Sequence, residues 1–187
     1  GMLNWLSQGT RHDITTMVSL LASHQCTPSP GHLDAAKYLG KYLKATAHLG
    51  LLFSSRHNSK LEGFVFFPIH PLNPSGSHPE MFACADANWG PQDASRPTAS
   101  TSREISLDET KSICGHIIFY GAAPVFWASH KEPRTSGSSC EAEIMATNMC
   151  TKSVLWFRHV LGDLNLLDIS SPTMIYNDNR GAVDWSK

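Results

Sequence analysis

"SSCEAEIMATNMCTKSVLWFRHVLGDLNLLDISSPTMIYNDN", residues Ser138 to Asn179, decides the fold. Its first half has helical periodicity from about Ser139 to Leu161, with Ala142, Ala146, Met149, Phe157 and Val160 as the expected core stripe. Its second half holds a short apolar run, Thr173 to Asn177, that reads as a β-strand ending at Asp178, and a further helix opens near Asn179. A helix between strands predicts a parallel crossover in an α/β sheet.

Upstream, "MFACADANW" (Met81 to Trp89) is another short apolar run carrying one acid, Asp86. "SICGHIIFYG" (Ser112 to Gly121) and "APVFWAS" (Ala123 to Ser129) read as strands joined by a tight turn. Residues 90–110 read as a long polar loop. The expected class is a mixed α/β sheet with flanking helices. Before it, "LEGFVFF" (Leu61 to Phe67) reads as a strand, and the Pro-rich stretch from Pro68 to Glu80 as a linker. Two amphipathic helices are expected nearer the start. Asp13 is placed as the cap of one, with Ile14, Met17, Val18 and Leu21 on its apolar face. The other runs from about His32 to His48, with Leu33, Ala36, Leu39, Gly40, Leu43 and Ala47 as its stripe. The division is thus 1–60 helical, 61–80 strand and linker, and 81–187 sheet domain.

Composition narrows the function. The 187 residues are 41% hydrophobic and 17% charged, with a formal net charge of −1, so no global basic field marks a nucleic-acid partner. Five scattered cysteines form no C-x2-C pair and read as reduced intracellular thiols. No apolar run is long enough for a membrane span, so the expected setting is intracellular and cytoplasmic, without membrane contact.

Acids are disfavoured in buried strands unless paired or metal-bound. Asp86 and Asp178 at the ends of two strands would converge on one sheet edge. On the long helix, Glu141 and Glu143 point to nearly opposite sides. Glu141 groups with Lys152 and His159 on the polar side. Glu143 groups with Cys150, Val154 and Leu161 at the flank of the apolar face and is the one able to reach the sheet. Three carboxylates from strand, helix and strand suit Mg²⁺, a hard cation that takes oxygen ligands, and Mn²⁺ is the alternative ion. Two such ions can serve phosphodiester hydrolysis.

"ADANWG" (Ala85 to Gly90), "SSCEAEIMA" (Ser138 to Ala146) and "IYNDN" (Ile175 to Asn179), in that order, resemble the ribonuclease H domain of Ty1/copia-type retrotransposon polyproteins. "GHIIFYGAAPVFWASHKEP" (Gly115 to Pro133) resembles that family's hairpin. "WLSQGTRHDI" (Trp5 to Ile14) and "HLDAAKYLGKYLKATAHLGLLF" (His32 to Phe53) resemble the end of its reverse transcriptase region. The resemblance implies a ribonuclease H-like fold preceded by a small helical segment. It also implies Mg²⁺-dependent cleavage of RNA in RNA–DNA hybrids, with Asp86, Glu143 and Asp178 as catalytic metal ligands. The connection at 90–110 is longer than the family's usual one. The family's fourth acid, last strand and last helix have no counterpart before residue 187, and the polymerase's Asp-Asp pair is absent. The expectation is therefore a C-terminally incomplete domain, weak or inactive as a nuclease, with an open sheet that invites self-association or a protein partner. The alternative is an exapted, non-catalytic interaction protein.

Overall fold

The computed structural model describes residues 1–51, 53, 81–90, 111–121 and 123–185. The expected strand at 61–67, the linker at 68–80 and most of the 90–110 loop lie outside them. Four strands form one mixed sheet in the order β3-β2-β1-β4: β1 is Met81–Asn88, β2 Ile113–Tyr120, β3 Ala123–Lys131 and β4 Met174–Tyr176. Strands β1 and β2 are antiparallel, as are β2 and β3, while β1 and β4 are parallel. This mixed α/β architecture is compatible with a ribonuclease H-like fold. Gly121, at φ +60°, makes the tight turn between β2 and β3, where a side chain would be strained. Strand β4 is shorter than the sequence suggests.

The long helix between β3 and β4 is α4 below, counting three helices that precede the sheet. It runs Ser139–Asp163. The Ser138 hydroxyl caps it by accepting from the Glu141 N–H at 3.1 Å. Its buried face is Ala142, Glu143, Ala146, Cys150 and Val154. Of these, Ala146, Cys150 and Val154 pack on Met81, Ala83 and Ala85 of β1 and on Cys114 and Ile118 of β2. Small residues on both sides let helix and sheet approach closely. The core stripe is thereby turned from the expected one: Met149 and Phe157 are only partly buried at its rim. Glu143 lies within the buried face, not at its flank. Arg158 then secures the return to β4, donating to the Ser171 carbonyl at 2.8 Å and the Thr173 hydroxyl at 2.6 Å.

The first three helices are α1 (Met2–Gly9), α2 (Thr15–Ser23) and α3 (Pro30–Ala45), with a 3-10 turn at His12–Ile14. Helix α1 is not foreseen by the periodicity. Ile14, Val18 and Leu39 form a small core with Leu3, Leu6, Leu21 and Leu43 against it. Leu33, expected in that stripe, is 57% exposed. Helix α3 opens two residues before the expected His32, with Ser29 as its cap and Pro30 as its first residue. Asp13 is not a cap. Its carboxylate accepts from Arg11 at 3.0 and 2.8 Å and from the Tyr42 hydroxyl at 2.8 Å. Arg11 also donates to the Thr46 carbonyl at 3.1 Å, so the Arg11–Asp13 pair ties the 3-10 turn to the end of α3. Helix α2 lies against β3, and the Trp127 indole N–H donates to the Ser7 carbonyl.

Candidate metal centre

Strands β1 and β4 are adjacent and parallel, so their C-terminal ends point the same way. Asp86 lies near the end of β1, and Asp178 lies two residues past β4. Glu143 reaches the same place from the second turn of α4. Carboxylate oxygens of all three lie within 4.8 Å of one another. Asp86 and Asp178 are exposed, whereas Glu143 is buried. Glu141 takes a different role: it accepts from the Gly137 N–H at 2.8 Å, at the start of its own helix.

Burial pushes the Glu143 carboxyl above its ordinary value, and the negative charges of Asp86 and Asp178 add to the effect. The Asn177 amide and the Ala87 N–H act in the opposite direction. The folded chain thus holds this proton more tightly than the unfolded chain does. Without divalent ions, stability falls as pH rises from below 4.5, the ordinary value, through the raised one, and the deficit persists above it. In EDTA at about pH 7, Glu143→Gln is expected to melt above the wild type, with the gap closing below about pH 4. Melting curves at both pH values check this, and a Gln variant that melts lower at both would contradict it.

The "NDN" run is built as a unit. The Asn177 amide nitrogen donates to Glu143 Oε2 at 2.9 Å, Thr147 Oγ1 at 3.1 Å and the Ala85 carbonyl at 3.4 Å. It thereby joins β1, α4 and the end of β4. Its own oxygen accepts from the Asn179 N–H at 2.8 Å. The Asn179 side chain accepts from Ala182 N–H at 3.1 Å and caps α5, Arg180–Trp185. Asp178 is held between these two asparagines. Asn177 is the residue that sequence reasoning missed. The available signal was a second polar residue at a strand tip that already carried an acid.

The donor set is all oxygen, anionic and partly desolvated, which fits Mg²⁺ or Mn²⁺. Asp86, Glu143 and Asp178 would hold the ion, and Asn177 would orient Glu143. Partners that orient ligands are typically worth ten- to hundredfold in metal affinity. Asn177→Ala is therefore expected to weaken Mn²⁺ binding by about that factor, as read by calorimetry. Unchanged affinity would show that Glu143 needs no brace.

No helix among the described residues is long and apolar enough to cross a membrane. No protein-family model matches the chain, and no solved structure matches significantly. Two retrovirus-related Pol polyproteins of Arabidopsis thaliana, from transposons RE2 and RE1, are 25% and 26% identical to it over 183 residues. That is 98% of this chain but only 10% of each polyprotein. The secreted RxLR effector protein 161 of Plasmopara viticola is 26% identical over 156 residues, 83% of this chain and 86% of that protein. At about a quarter identity over nearly its whole length, this chain is similar to a short stretch of retrovirus-related Pol polyproteins from plant transposons.

Proposed function

We propose that this chain carries a ribonuclease H-type centre that cleaves the RNA strand of RNA–DNA hybrids. The observation that carries the reading is the meeting of Asp86, Glu143 and Asp178 within 4.8 Å, on two strand ends and a helix. The relation to Pol polyproteins and the motif resemblance supply the substrate class. A hybrid needs no base reading, because groove shape and the 2′-hydroxyl identify RNA. That agrees with a net charge near zero.

When bound, divalent ions supply an activated water and stabilise the leaving oxygen of the phosphodiester. The chain's own residues hold the geometry. Asp86 and Asp178 offer exposed oxygens at the mouth of the site, and Glu143 offers a buried one fixed by Asn177. The α4–β1 packing fixes the distance between Glu143 and Asp86. With three carboxylates as the donor set, turnover is expected to be slow. An intracellular, cytoplasmic setting fits five unpaired thiols, of which Cys114 and Cys150 are buried with values pushed up to about 12.

The test is incubation of an end-labelled RNA–DNA hybrid with the chain and Mg²⁺ or Mn²⁺. Scission of the RNA strand that EDTA abolishes is the expected result. An intact hybrid with either ion at high protein concentration overturns the proposal.

A further inference from the structure

One buried carboxylate among the described residues lies outside the metal centre. Glu132, just past β3, is 1% exposed. One of its oxygens accepts from the Cys114 thiol at 3.3 Å, and the other accepts from the Ser136 hydroxyl. Its backbone N–H donates to the Ser112 carbonyl at 2.9 Å. A buried carboxylate is costly, and it persists where its bonds fix something. Here it fixes Ser136, itself 4% exposed, in the loop that leads into α4. The Ser136 carbonyl in turn accepts the indole N–H of Trp89 at 3.1 Å.

Trp89 follows directly on β1 and lies three residues past Asp86, about 10 Å along an extended chain. It is 52% exposed. Its only polar atom is tied down from behind, while half of a large aromatic surface stays in solvent. The chain therefore displays this ring, anchored at Nε1, on the residue that follows the strand carrying Asp86. The three acids of the metal centre repel a phosphate backbone, and an uncharged ring attracts a nucleotide without regard to charge. With Nε1 engaged, the indole has no donor left for a base edge. Its available contact is apolar and independent of sequence. In a hybrid the bases are stacked on one another, so the surface offered to it is the sugar face of the shallow groove.

We propose that Trp89 is a substrate-positioning residue whose ring packs against a ribose of the hybrid next to the metal centre, held in place by the Glu132–Ser136 pair. This rests on the nuclease reading above. It adds a contact that neither the acids nor the motif order specify. It also explains why a carboxylate is buried in the loop between β3 and α4.

The test uses the full chain carrying Glu143→Gln, to slow cutting during the measurement, and a fluorescein-labelled RNA–DNA hybrid followed by anisotropy. Two further changes are made in that background. Trp89→Ala removes the ring, and Trp89→Gln removes the ring but keeps an amide donor for the Ser136 carbonyl. Both are expected to weaken binding roughly tenfold, in line with the loss of one buried apolar contact. In the cleaving chain, Trp89→Gln is expected to raise KM about tenfold and leave kcat within a few fold. A purely structural role would instead lower the melting temperature and kcat together. Hybrid affinity unchanged in the Gln variant overturns the positioning role and leaves the nuclease reading standing. No hybrid binding by the Glu143→Gln parent overturns the nuclease reading and this inference with it. Where Trp89→Ala fails to fold, the Gln variant decides by the same tenfold criterion.

Discussion

Glu143→Gln and Asp178→Asn are each expected to lower hybrid cleavage by about 100-fold or more in Mg²⁺, with far-ultraviolet circular dichroism at the wild-type level. The magnitude follows from what each carboxylate does. Attack on a phosphodiester requires the water, the phosphorus and the leaving oxygen to be placed together, and misplacement by about 1 Å costs about 100-fold. Either amide keeps the shape of the side chain but removes an anionic ligand from a set of three. Glu143 is the more informative of the two. It is buried, bonded to Asn177 at 2.9 Å and set in the face of α4 that packs on β1. Glu141→Gln is the matched control. Glu141 lies on the same helix but bonds the Gly137 N–H, so its replacement is expected to leave the rate within a few fold. Equal losses for Glu141 and Glu143 would mean that helix integrity, not metal ligation, is being measured.

Ile118→Ala is expected to destabilise the protein by about 2–5 kcal/mol. Ile118 is fully buried on β2, in the cluster with Ala83, Ala146, Cys150 and Val154. Most of its cluster partners on α4 and β1, Ala83, Ala85, Ala146 and Cys150, have short side chains that cannot swing into the space left behind. The void should therefore persist, placing the loss toward the upper part of that range. For a chain of this size that corresponds to a fall in melting temperature of roughly 10 °C. Leu155→Ala on the outer face of α4, at a residue 50% exposed, is expected to change stability by less than about 0.5 kcal/mol. A similar loss at both positions would place the core elsewhere.

The sheet and the acids were legible because they break local rules. Asp86 and Asp178 are charges in otherwise apolar runs. Asp86 keeps to the end of β1, and Asp178 lies just beyond β4. The choice of Glu143 over Glu141 followed from helical angle alone. The same argument put Glu143 at a flank, because periodicity weights large residues such as Met149 and Phe157. The contact face was set instead by the smallness of Ala83 and Ala85, which draws Ala142, Ala146 and Cys150 inward and leaves the large side chains at the rim. Asp13 shows a second limit. Its carboxylate chooses Arg11 and Tyr42 over a helix end, and Tyr42 is 29 positions away in sequence. Asn177 was passed over because it read only as the last residue of a strand. Its bonds to Glu143 and Thr147 depend on α4 having docked. Helix α1 is only eight residues long and has no capping side-chain bond to mark its start.

The central claim is that Asp86, Glu143 and Asp178 make one divalent-cation site, and Mn²⁺ titration read by the paramagnetic resonance of the free ion tests it most directly. Saturable binding by the wild type, competed by Mg²⁺ and lost in the chain carrying Asp86→Asn, Glu143→Gln and Asp178→Asn together, is the predicted result. Equal binding by the two proteins, or none by the wild type, would contradict the account.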